Sequence, residues 1–149
     1  MRSADVVRVR ARTAATPDQV WDCLADPYSF AHWVSGTATI TGADRSWPDV
    51  GSELRHRFGP WPLRFADHTT VLASDPPDRL LLRAGARPFG VVRAELRLTA
   101  DGAGTTVELC EQLLDGPGLR WPRLGHVVQR LRNRRSLSLL VALVERRAR

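Results

Sequence analysis

The feature that most restricts the fold is the middle of the chain, where short runs of alternating polar and apolar side chains are cut by proline and glycine. The runs are 34–42, 52–58, 63–73, 79–86, 91–100 and 105–114. Between them stand Trp47-Pro48, Gly59-Pro60-Trp61-Pro62, Asp75-Pro76-Pro77-Asp78, Pro88-Phe89-Gly90 and Asp101-Gly102-Ala103-Gly104. Proline has no N–H to donate to a ladder, and glycine supplies the backbone angles of tight turns. Each separator therefore reads as a hairpin connection, and the runs as strands of an antiparallel meander.

The flanks complete the pattern. Residues 5–13 set Val7, Val9 and Ala11 on one face and Arg8, Arg10 and Arg12 on the other, as a half-buried strand does. Thr16-Pro17 opens a helix, with Thr16 as N-cap and Pro17 at the first helical position. Val20, Trp21 and Leu24 give it an apolar stripe, and Asp26-Pro27 ends it. A second short helical piece is expected over 27–33, and after Gly116-Pro117-Gly118 the chain turns helical to its end. Strands gathered beside segregated helices make the class α+β. With 149 residues, a single domain over 1–149 is expected.

This order, with these residues in it, resembles the START-like helix-grip (SRPBCC) superfamily, and within it the polyketide cyclase/dehydrase and lipid-transport branch. The resemblance is carried by Ala15-Thr-Pro-Asp-Gln-Val-Trp21 opening the first helix and by Tyr28 and Trp33 closing the second. Gly51-Ser52 at a strand start, Asp75-Pro-Pro-Asp-Arg-Leu80 and Gly104-Thr-Thr-Val107 at the last strand extend it over essentially the whole chain. It implies a curved seven-stranded antiparallel sheet wrapped around a long C-terminal helix, with two short helices between strands 1 and 2. It also implies a cavity for an apolar or aromatic small molecule. Members range from carriers to cyclases, so fold leaves function open.

Alternation assigns the inward faces independently of the resemblance. In 52–58, Leu54 and Phe58 share a face with His56. In 63–73, Leu63, Phe65 and Val71 share a face with Asp67 and Thr69. In 91–100, Val92, Ala94, Leu96 and Leu98 face inward, and in the last strand Val107, Leu109 and Leu113 share a face with Glu111. The run 79–86 is ambiguous, because Leu80 and Leu82 oppose Leu81 and Arg83. Three ionisable groups, His56, Asp67 and Glu111, thus fall on apolar faces, where an unpaired charge costs several kcal/mol. A hairpin symmetric about Pro60 sets His56 across from the Phe65–Asp67 stretch, where a His–Asp pair would serve as an acid/base element or as an orienting hydrogen bond. The plain structural account is that these groups satisfy each other or a buried water. Asp67 and His68, adjacent on one strand, point to opposite faces and form no dyad.

The C-terminal segment is half greasy and half polar. Leu137, Leu140 and Val144 form a stripe at helical spacing, and its continuation towards the N-terminus reaches Asn133, Arg130, Gln129 and His126. In a single helix that polar half faces the sheet, which a solid core would refuse and a cavity would accept. The rival is a break near Arg132–Arg135, since Leu124, Val127, Val128 and Leu131 form a stripe of their own on nearly the opposite side. Of the five tryptophans, Trp21 belongs to the first helix; Trp33 and Trp61 are the preferred mouth residues, with Trp47 and Trp121 pinning loops.

Composition bounds the partners. All 22 basic residues are arginine and the formal net charge is +6, a usage as consistent with coding bias as with a binding device. Beyond Gln129, Arg130, Arg132, Arg134, Arg135, Arg146, Arg147 and Arg149 face only Glu145, a tail suited to an acidic surface. No run approaches the roughly 20 apolar residues of a membrane span, and residues 1–12 lack a signal-peptide core, so a cytoplasmic protein is expected. Cys23 and Cys110 read as buried thiols. There is no HExxH, zinc-type Cys/His spacing, GxSxG elbow or P-loop lysine, so no metal and no cofactor is expected.

Three readings stand at this level. In the first, the chain binds a hydrophobic small molecule through Leu54, Phe58, Phe65, Leu96, Leu109, Trp33 and Trp61, with His56, Asp67, Glu111 and the helix residues His126, Gln129, Arg130 and Asn133 as polar hooks. In the second, a cyclase/dehydratase-like enzyme uses His56 as proton shuttle, oriented by Asp67 or Glu111. The third is an arginine-rich module for anionic partners, without specific nucleic-acid recognition. A monomer or homodimer fits each.

Overall fold

The structure, a computed structural model, describes residues 5–60 and 62–149. Seven antiparallel strands follow one another as β1 (Val6–Thr13), β2 (Thr37–Ala43), β3 (Glu53–Phe58), β4 (Phe65–Asp75), β5 (Arg79–Ala86), β6 (Gly90–Asp101) and β7 (Gly104–Asp115). Their spatial order is β1-β7-β6-β5-β4-β3-β2. Each strand from β2 onward therefore pairs with its successor, and β1 closes on β7. The helices are α1 (Pro17–Ala25), α2 (Phe30–Trp33) and α3 (Pro122–Arg147), with single 3-10 turns at Pro27–Ser29 and Pro117–Leu119. The result is the curved sheet and long terminal helix that the family resemblance implies.

α1 begins at a reciprocal cap: the Gln19 amide donates to Thr16 Oγ1 at 3.3 Å, and the Thr16 amide donates to Gln19 Oε1 at 2.9 Å. Its buried face, Val20, Trp21, Cys23 and Leu24, joins one core cluster with Leu98 and Val107 of the sheet and with Leu137, Leu140, Leu143 and Val144 of α3. Each fully buried leucine contributes about 1.5–3 kcal/mol, so this end of the molecule is the anchor. Trp47 also belongs here: its indole N–H donates to the Leu24 carbonyl at 3.0 Å and its ring meets Phe30 edge-on.

Several sequence expectations shift. The second strand starts at Thr37 rather than residue 34, because the Val34 N–H closes the α2 turn on the Phe30 carbonyl. β4 starts at Phe65, leaving Leu63 57% exposed instead of inward. The ambiguous strand β5 buries Leu80, Leu81 and Leu82 alike, although Leu81 points to the opposite face from its two neighbours. α3 runs unbroken from Pro122 to Arg147, so the break near Arg132–Arg135 does not occur. No described helix is long and apolar enough to cross a membrane.

Candidate ligand cavity

α3 is apolar on its inner face only where it meets the anchor. Its N-terminal half turns Gln129, Asn133 and Ser136 inward, all buried, and in front of them lies a cavity of about 690 Å³ bounded by the concave sheet. That volume is in the range of small-molecule sites. Leu54 and Phe58 of β3, Leu96 of β6 and Leu109 of β7 form its apolar wall. Trp33 is also in the wall and 3% exposed, so it lines the interior and not the mouth. The mouth tryptophan is Trp121, 61% exposed and beside Phe89, Leu124 and Val128. Trp61, the other expected mouth residue, lies outside the described residues.

Two polar stations interrupt this wall. The first is His56, 6% exposed. The β3–β4 register sets it opposite Asp67, within the 65–67 stretch expected across the hairpin, yet its ring bonds a different strand: Nε2 is 2.8 Å from the carbonyl oxygen of Gly85. A carbonyl only accepts, so Nε2 carries the proton, and Nδ1 is the basic nitrogen of the neutral ring. Burial lowers the pKa of His56, against the opposing pull of the Gly85 bond and the Asp67 charge. The ring is thus held neutral in one tautomer.

The reason for this arrangement lies in the sheet. The β4–β5 ladder ends at Thr69↔Ala84. Beyond it, backbone groups of β5 and its turn are met by side chains. His56 takes the Gly85 carbonyl, while the Asp67 carboxylate accepts from the amides of Arg87 at 3.0 Å and His68 at 2.8 Å. The His68 ring follows, Nδ1 standing 3.4 Å from Asp67 Oδ1. Asp67 and His68 are therefore in contact despite the pleat, because a short carboxylate folds back onto the next amide of its own strand. Burial works to raise the Asp67 pKa, but these backbone bonds and the Arg87 charge outweigh it and hold the carboxyl below its usual range. Asp67 patches the end of a ladder and does not line the cavity.

The second station is Glu111, 5% exposed in β7. Its Oε1 accepts from Gln129 Nε2 and from an Arg132 guanidinium nitrogen, both at 3.0 Å. Both bonds fall on one oxygen, which leaves Oε2 with no hydrogen bond to a described residue, in a side chain that lines the cavity. Arg132 escapes the sequence reading because it lies off the stripe through Leu140. The row that finds it is Leu124, Val128, Arg132 and Ser136, four residues apart along the mouth side of α3. Trp33 Nε1 and Asn133 Nδ2 are buried donors without a partner among the described residues.

Three further candidates stand away from the cavity wall. Phe65 packs against two residues that line it, its ring 6.0 Å from Phe58 and 5.6 Å from Phe89. Arg130 is exposed and donates to the Arg8 carbonyl at 3.1 Å, so it lies along β1. His126, half-buried on the same flank of α3, does not line the cavity either. Both belong to the edge of a stripe whose centre alone points inward. Among the described residues no group of three or more His, Cys, Asp or Glu is placed to hold a metal ion.

The sequence model of the family described as polyketide cyclase / dehydrase and lipid transport matches residues 5–145. Among solved structures, a protein from Nitrosomonas europaea is similar at 17% identity, covering 99% of both chains with a TM-score of 0.77. The Zhui aromatase/cyclase from a Streptomyces species is similar at 21% identity, covering 97% of this chain and 95% of its own, with a TM-score of 0.74. A protein from Rhodobacter sphaeroides has 21% identity over 96% of this chain and 93% of its own, with a TM-score of 0.74. At these identities the likeness is one of fold. No curated protein matches the sequence.

Proposed function

The chain belongs to the polyketide cyclase/dehydrase and lipid transport family, and from that premise we propose that it binds one hydrophobic, oxygen-bearing small molecule of polyketide-, aromatic- or lipid-like character between sheet and α3. The observation that carries this is the cavity itself. Its wall is aliphatic and aromatic, and two polar stations interrupt it: His56 as an acceptor, and Glu111 with Arg132 as an acceptor and a donor side by side. A solid core does not keep such groups, whereas a guest with hydroxyl and carbonyl oxygens uses both kinds.

The test is binding of the fluorophore 1-anilinonaphthalene-8-sulfonate, together with native mass spectrometry of the purified protein. Leu109→Trp fills the cavity from its sheet wall and should weaken fluorophore binding at least about tenfold while the protein stays folded. Unchanged affinity in that variant overturns the proposal.

A second reading, a cyclase/dehydratase-like enzyme, is favoured by the fixed His56 tautomer. Nδ1 of a neutral, buried ring can take a proton from an acidic C–H or O–H of a guest, while the cavity imposes the guest's folded shape. Glu111 is then a second polar contact, and Asp67 acts through its charge and the position of Gly85. His56→Ala abolishing turnover at intact affinity supports the enzyme; equal loss of both supports the carrier.

A further inference from the structure

We propose that the outer ridge of the N-terminal half of α3 docks on an anionic lipid bilayer. Leu124, Val127, Val128 and Leu131 recur at the i, i+3, i+4, i+7 spacing of one helix face, opposite the inward Asn133. They are 63%, 55%, 56% and 61% exposed. The helix thus reverses its polarity along its length: apolar inside and polar outside at the anchor, polar inside and apolar outside over the cavity. Scattered exposed leucines carry no message, but a contiguous ridge marks a contact surface.

Charge selects the occupant. From Gly116 to Val144 the chain has no Asp or Glu. Arg123 and Arg134 flank the ridge on one side and Arg135 continues it, and among the described residues none of the three has an acidic partner within salt-bridge distance. A second copy packed ridge to ridge would bring these guanidinium groups together with no acid to answer them. An anionic bilayer offers hydrocarbon to the ridge and negative headgroups to the arginines, and the exposed Trp121 at the helix start suits the interface between them. Trp121, Leu124 and Val128 also border the cavity mouth, so an apolar guest would pass between protein and bilayer without crossing water. Only that last point rests on the proposed function; the docking itself does not.

The test is co-sedimentation of the full chain with vesicles of phosphatidylcholine alone or containing phosphatidylglycerol. Binding to the anionic vesicles should be at least about tenfold tighter and should weaken as salt is raised. Val127→Gln/Leu131→Gln, which changes ridge residues that do not line the cavity, should lower it about tenfold with an unchanged melting temperature. Arg123→Gln/Arg134→Gln should erase the preference for anionic lipid. Equal binding to both vesicles, no binding, or a ridge variant that binds as well as the parent overturns the proposal. So does a stable dimer that the ridge variant dissociates. Fluorophore binding in the cavity, measured on the same samples, separates this failure from that of the proposed function.

Discussion

Gly85 is where the sheet geometry and the His56 station meet, and Gly85→Ala tests both. A Cβ at this position would lie under 3.0 Å from three atoms of the Asp67 carboxyl group, closer than real Cβ contacts come. The Asp67 side chain is 3% exposed and held by the amides of His68 and Arg87 at 2.8 and 3.0 Å, so it has nowhere easy to go. Displacing it removes two hydrogen bonds to a charged acceptor, about 1.5–3 kcal/mol each. Water reaching the exposed Arg87 amide returns part of this, and the stiffer unfolded chain returns about 0.4–1 kcal/mol. The expected net loss is about 2–4 kcal/mol, read by urea denaturation as a lower midpoint at unchanged slope. The decisive measurement is the double-mutant cycle: with Asp67→Ala already present the obstruction is gone, and Gly85→Ala should cost under about 1 kcal/mol. If Gly85→Ala is equally destabilising in both backgrounds, the obstruction is not the Asp67 carboxylate and the account of the ladder end is wrong.

The lowered His56 pKa gives the protein a pH-dependent stability of defined sign. Between its depressed folded value and about 6.5 the unfolded chain binds the proton and the folded chain does not, so stability falls as pH falls through that window. The slope from this group is at most about 1.4 kcal/mol per pH unit, and His56→Gln should flatten it in denaturation series taken at successive pH values. Leu140 is fully buried where α3 meets the anchor, and Leu140→Asp should leave no cooperative thermal transition by circular dichroism. Ser138→Asp, on the exposed face two residues away, should melt like the parent.

Local grammar made much of this legible. Alternation and the proline–glycine separators placed the meander, and the hairpin argument put His56 across from the 65–67 stretch, at whose end the register places Asp67. What escaped depends on where strands part company. The Asp67 carboxylate turns to Arg87 and His68 because the β4–β5 ladder stops at Thr69↔Ala84, a consequence of sheet curvature that no run of β4 residues encodes. Trp33 and Trp121 exchanged their expected places for a similar reason. An indole at an element end is buried or exposed according to what packs over that end, and α3 covers Trp33 while leaving its own first turn open. The two stripes of α3 were both visible in the sequence, but an unbroken helix reconciles them only if its two halves face different surroundings.

That division gives the helix two mechanical characters. The amides around Leu137–Val144 should exchange with solvent deuterium only when the whole domain unfolds, since opening them exposes the anchor. Those around Leu124–Leu131 bury little apolar surface and should exchange through local fraying, orders of magnitude sooner. An entrance that breathes while its far end stays fixed would let a guest of the proposed kind enter and leave on the timescale of helix unwinding, without the molecule leaving its native basin.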